Sequence, residues 1–262
     1  MNQVALVSLF GNKKSDLSTF IVQYQKMVES VLGKAFTPYD VRQVHATIIG
    51  LERRIGSPAH NANFWRYRGR EATMDFDGFL HFLRGGSHFP FEVQIGGFGN
   101  REYPFRSRNA VPYERSFSIQ DDRVVVLGWP LRGCPFATPP ATPQEYAQES
   151  RLYPLTLDEI RHAAQRFGIL HSYHRALTDV DNDLFFRIGV VTPTSLPSGA
   201  ASALEQQVRQ TFSEQPPLIV DITLNDLYAA AYDDERLPLG STQAWSMTDQ
   251  RVTGEFIANL YR

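Results

Sequence analysis

Val44-His45-Ala46-Thr47-Ile48-Ile49-Gly50 is the segment whose residue types and spacing could do chemistry. An imidazole exchanges protons near neutral pH, and a threonine hydroxyl can donate to a phosphoryl oxygen. Residues two apart on a strand project from one face, so His45 and Thr47 can act on one ligand group. The same pair also fits a histidine tucked against the core, with a β-branched neighbour filling space. The surrounding elements must separate the two readings.

Those elements follow from apolar spacing. Residues 4–10 are a largely apolar run ending at Gly11-Asn12, as suits a buried strand. Ser15 can cap a helix that carries Leu17, Phe20, Ile21, Met27, Val28, Val31 and Leu32 at helical spacing, with Gly33 as its stop. Residues 41–49 read as a second strand and should lie beside the first, because a strand–helix–strand order buries both apolar runs at once. Residues 53–72 are arginine-rich, lack apolar periodicity and read as a long loop. A helix over 75–83 and strands at 91–95 and 123–131 follow. The mixed arginines and aromatics of 99–118 fit no element. A proline-rich stretch at 135–150 marks the boundary between two halves. Beyond it, Thr156-Leu157-Asp158-Glu159 has the form of a capping box, opening a helix that Gly168 ends. A strand over 184–191, a helix opened by Ser198 or Ser202, a strand over 218–224 and residues 228–232 complete the chain. Helices interleaved with isolated strands, and no glycine-rich phosphate loop, indicate α+β.

With His45-Ala46-Thr47 on its second strand, this order resembles the two-histidine (2H) phosphoesterase superfamily, which includes RNA 2′,5′-ligase-like and cyclic phosphodiesterase proteins. The resemblance implies one bilobal domain over 1–262, with two small, largely antiparallel sheets and outer helices around a central cleft. It implies hydrolysis or transfer at a cyclic or 2′,5′-linked phosphodiester of a small nucleotide or RNA end. His45 would be the general acid or base and Thr47 a phosphate donor, with no metal and no cofactor. Such proteins carry a second His-x-Thr/Ser motif. Matching Ile188-Gly189 to its apolar-glycine ending puts Phe185 at the histidine position and Arg187 at the Ser/Thr position. Phenylalanine cannot move a proton, whereas an arginine can clamp phosphate through two parallel hydrogen bonds. Equally, Phe185 suits the core and Arg187 a surface ion pair.

Three residues could substitute for the missing histidine. Asp221-Ile222-Thr223-Leu224 has the motif's shape with aspartate first, one strand late; His171 and His174 flank Tyr173 just before the degenerate strand. The spacing of those two histidines also suits a metal, but no third ligand sits nearby in sequence. If no substitute serves, the chain would be a non-catalytic nucleotide- or anion-binding module. His60, His81, His88 and His162 have no motif around them and read as solvent-facing or structural. Asp179, Asp181 and Asp183 alternate as in a calcium loop, but the turn glycine and closing glutamate are absent. The arginines and aromatics from Arg101 to Arg115 suit either single-stranded nucleotides or an ordinary surface loop.

Composition narrows the partners. The 262 residues carry 26 Lys+Arg against 28 Asp+Glu, a net charge of −2, so a broad basic face for duplex DNA is not expected. One cysteine, Cys134, excludes an intrachain disulfide and a cysteine-cluster metal site. No apolar run approaches the roughly 20 residues of a membrane helix. Lys13 and Lys14 follow the first apolar stretch, the reverse of a signal peptide's order, so a cytoplasmic protein is expected.

Overall fold

The structure, a computed structural model, describes residues 3–55, 59–136, 138–192 and 199–261. β1 (Gln3–Ser8) is buried along nearly its whole length, as its apolar run requires. α1 (Ser15–Leu32) turns Leu17, Ile21, Tyr24 and Val28 inward at intervals of three and four. It starts at Ser15 itself without a side-chain cap. After β2 (Phe36–Pro38), β3 (Ala46–Gly50) pairs antiparallel with β1, so the two apolar runs are neighbours as expected. The strand is shorter than 41–49, because residues 41–43 are a turn in which Val44 and Gln43 donate to the Asp40 carbonyl.

The remaining elements are α2 (Ala62–Arg68), α3 (Phe76–Gly85), β4 (Phe91–Ile95), α4 (Pro112–Arg115), β5 (Phe117–Gln120) and β6 (Arg123–Leu131). Then come α5 (Pro143–Leu152), α6 (Thr156–Ala163), β7 (Leu184–Val191), α7 (Ala200–Glu214), β8 (Leu218–Ile222), β9 (Leu227–Tyr232), β10 (Gln243–Ser246) and α8 (Gly254–Asn259). The fold is mixed α+β. Its strands form one ten-stranded antiparallel sheet in the order β10-β9-β1-β3-β7-β6-β4-β8, with β2 on β7 and β5 on β6. Two separate small sheets were expected. The two groups of strands are instead continuous, through a single residue pair between β3 and β7, Ala46 with Phe186.

Several local expectations change for identifiable reasons. Residues 53–72 are not all loop: α2 is capped by the Asn61 side chain, which accepts from the Phe64 N–H, and is closed by Gly69 in the left-handed region. Seven residues are too few to display a helical period. The proline-rich connection contains α5, opened by a Thr142–Glu145 capping box. At α6 the cap comes from far away: Asn182 Oδ1 accepts the N–H groups of Leu157 and Asp158, and Thr156 is already the first helical residue. α7 starts after Gly199, so Ser202 lies inside it; Ser198 lies outside the described residues. Tyr103 and Phe105, from the unassigned stretch, are buried with Trp129 and Tyr153 in an aromatic cluster, so these two side chains are part of the core. Among the described residues, no helix is long and apolar enough to cross a membrane.

Candidate active site

The pairing of Ala46 with Phe186 sets the site's geometry. In an antiparallel ladder the neighbours of a pair also face each other, so His45 stands opposite Arg187 and Thr47 opposite Phe185. These four side chains line one cavity, together with His171, Glu52, Arg108, Arg123, Arg161, Tyr173, Asp181 and others.

His45 is 5% exposed. Its Nδ1 lies 2.8 Å from the Gln43 carbonyl, which can only accept. The ring therefore carries its proton on Nδ1 and its lone pair on Nε2, which has no partner among the described residues. Burial pushes the pKa down to about 4, with the charges of Lys13 and Arg187 adding to it against the Gln43 hydrogen bond. At neutral pH His45 is a proton acceptor. The Thr47 carbonyl accepts from Arg161 Nη2 at 3.1 Å, while its hydroxyl has no protein partner among the described residues.

Arg187 is not a surface residue. It is 5% exposed and reaches Asp122 at 3.3 Å and Glu235 at 3.4 Å. Both carboxylates serve other arginines too, Asp122 pairing with Arg236 and Glu235 with Arg123. Arg187 Nε is buried without a partner, and so are Arg123 Nε and Arg108 Nη1. Unsatisfied buried donors cost roughly 1–3 kcal/mol each, and all three belong to arginines that line the cavity. Arg108 has no ion pair among the described residues. Its guanidinium stacks 3.7 Å over Tyr173, on a backbone held at φ 49°, where side chains rarely sit.

Of the three substitutes for a second histidine, one reaches the cavity. His171 Nε2 lies 2.6 Å from Asp181 Oδ2, which Arg161 Nη1 also approaches at 3.2 Å. Burial and Arg161 push the His171 pKa down to about 4, so the neutral ring donates from Nε2 and keeps a lone pair on Nδ1. Burial acts to raise the Asp181 pKa, but Arg161 and the His171 bond outweigh it and hold the carboxyl well below its usual range. His174 is fully buried and does not line the cavity; its Nε2 is turned to Asp158 at 3.0 Å. Asp221 is also elsewhere. It sits on β8, separated from β7 by β6 and β4, and pairs in the open with Lys14 at 3.4 Å. One strand late in the chain has become three strands away in the sheet.

Glu52 is a cavity residue that sequence reasoning misses. Burial raises its pKa above the usual carboxylate range, in a cavity that Asp181, Asp183 and Glu235 line as well as the imidazoles and arginines. Its carboxylate packs onto Gly50 so closely that a Cβ there would lie 2.1 Å from Oε1. The Gly50-x-Glu52 sequence directly after the histidine strand is the signal that could have found it. Asp181 and Asp183 form no calcium loop, and both are instead ion-paired, Asp183 to Arg115 at 2.8 Å.

No protein-family model matches the chain, and no curated protein matches it. Among solved structures, the crystal structure of TT0787 of Thermus thermophilus is similar over 93% of both chains, at 12% identity and a TM-score of 0.33. A likeness that slight carries no argument about function, which therefore rests on the cavity.

An anion in the cavity would favour the charged form of both imidazoles and raise their pKa values from about 4. Sulfate binding is therefore expected to tighten as pH falls from 7.5 to 5, by up to about tenfold per pH unit for each proton taken up. Calorimetry in buffers of different ionisation enthalpy would show that uptake. Equal affinity at both pH values would remove His45 and His171 from contact with the anion.

Proposed function

We propose that the chain is a 2H phosphoesterase-like protein, its two groups of strands flanking a cleft that takes a cyclic or 2′,5′-linked phosphodiester. The observation that supports this reading most is the β3–β7 register, which faces His45-x-Thr47 with Phe185-x-Arg187 across one cavity. In hydrolysis of a 2′,3′-cyclic phosphate, His45 Nε2 takes the proton of the attacking water as its oxygen bonds to phosphorus. The bond to the leaving ribose oxygen breaks, and that oxygen takes a proton from a second group. His171, oriented by Asp181, is the group proposed here: of the two imidazoles beside the bound phosphate it is the one that carries the proton, while His45 stays neutral as the base. The Thr47 hydroxyl, Arg187 and Arg108 would hold the non-bridging oxygens. A net charge of −2 favours a small nucleotide or an RNA end over duplex DNA, and the exposed Cys134 suits a cytoplasmic setting.

A second reading, ligand binding without turnover, is favoured by Phe185, which stands where a second proton carrier would face Thr47. One experiment separates the two. Product formation from a 2′,3′-cyclic nucleotide is measured for the unmodified chain and for a double variant, Phe185→His with Arg187→Thr. Asp122 and Glu235 keep Arg236 and Arg123 as partners in that variant. Turnover should be slow in the unmodified chain and rise by about 10²-fold or more in the variant, the typical worth of a positioned acid or base. Binding without turnover in both proteins would leave the binding module. Failure of both to bind any phosphodiester would overturn both readings.

A further inference from the structure

The resemblance implies no metal, and no third ligand lies near His171 and His174 in sequence. Folding supplies two more beside His174. Asp158 and His162 lie four apart on α6 and share a face of that helix, and the segment after Gly168 brings His174 against them. His174 Nε2 is 3.0 Å from Asp158 Oδ1, and His162 Nδ1 is 3.2 Å from Asp158 Oδ2. The three donor atoms all lie within 4.8 Å of one another. Ligands at the usual 2.0–2.1 Å from a tetrahedral zinc stand about 3.4 Å apart, so side-chain adjustments on the order of 1 Å would close this triangle on one ion.

Three further observations point the same way. Asp158 Oδ1 accepts the Asp181 N–H at 2.8 Å, which orients the carboxylate before any ion arrives. The His162 and His174 rings pack with centroids 3.9 Å apart, which holds the two imidazoles side by side over the same carboxylate. The His162 side chain is 32% exposed, giving an ion a route in and water a fourth position. None of the three residues lines the cavity.

We propose that Asp158, His162 and His174 form a binding site for zinc or a zinc-like divalent cation. Two nitrogen donors and one carboxylate suit that class over magnesium or calcium. The ion would tie α6 to the segment carrying His171 and Asp181, making it a brace behind the cavity wall. The proposal does not depend on the phosphodiester reading.

The test uses the full chain, stripped with a chelator and then titrated with zinc against a chromophoric competitor, and with cobalt for its visible absorption. One equivalent is expected to bind, to raise the thermal midpoint and to give the intense bands of tetrahedral cobalt. His162→Ala removes a half-exposed ligand and should weaken binding by at least about 100-fold, the upper end of what losing even a supporting contact costs. Circular dichroism checks that this variant is folded, and Cys134→Ser should bind as the unmodified chain does. No stoichiometric uptake would mean that the three side chains are only a hydrogen-bonded network. Uptake that survives His162→Ala, or that is lost in Cys134→Ser, would mean the ion binds elsewhere. Any of these results overturns the proposal.

Discussion

Replacing His45 with alanine is expected to lower phosphodiester hydrolysis by about 10²–10⁴-fold, the usual cost of losing a positioned general base. The neutral ring, with Nδ1 committed to the Gln43 carbonyl and Nε2 free, is the cavity's best-defined proton acceptor at pH 7. The variant should still fold, because His45 makes no ion pair. It should gain stability relative to the unmodified chain in mild acid. A histidine whose folded pKa lies near 4, against about 6.5 unfolded, takes up its proton in the unfolded state first. Its presence therefore costs stability as pH falls through that window, and removing it should flatten the slope. Product assays at pH 7 and urea titrations at pH 5 and 7 read the two effects separately. Turnover within a few-fold of the unmodified chain would assign the base role to another group, with His171 the first to replace.

Arg161→Ala should destabilise the protein by about 3–5 kcal/mol, the cost of leaving a buried charge without its partner. Arg161 is 2% exposed. Its guanidinium donates to the carbonyls of Ile48, Thr47, Asp181 and Asp183 at 2.7–3.1 Å and lies 3.2 Å from the Asp181 carboxylate. One side chain thus ties α6 both to the strand carrying Thr47 and to the segment carrying Asp181. Lysine should rescue little, since its compact ammonium cannot span a planar fork of acceptors. Urea unfolding of the alanine and lysine variants tests this. A loss below about 1 kcal/mol for alanine, in the range of an exposed ion pair, would refute the buried-tie role.

How much of this architecture could be read from the sequence depended on the range of the interaction. β1 and β3 were readable as neighbours because two apolar runs joined by one amphipathic helix have few ways to bury themselves together. Phe185 and Arg187 could be set against His45 and Thr47 because a strand's alternation carries side-chain direction along with order. α2 was not readable, since a seven-residue helix held by one asparagine cap and a closing glycine has no period to display. The α6 cap is not Thr156, and its neighbourhood could not reveal that, because the residue supplying the acceptor, Asn182, lies more than twenty residues away.

The sequence by itself determined the α+β class, the apolar strands and helices, and the shared face of His45 and Thr47, since each of these follows from spacing over a few residues. Only the tertiary structure decided which charged groups meet. It brought His171, Glu52 and Arg108 to the cavity, left Asp221 three strands away, and set His174 against Asp158 and His162. The reason is physical. Periodicity encodes which way a side chain points from its own element, while its partner depends on strand order and loop path, which no short stretch of residues contains.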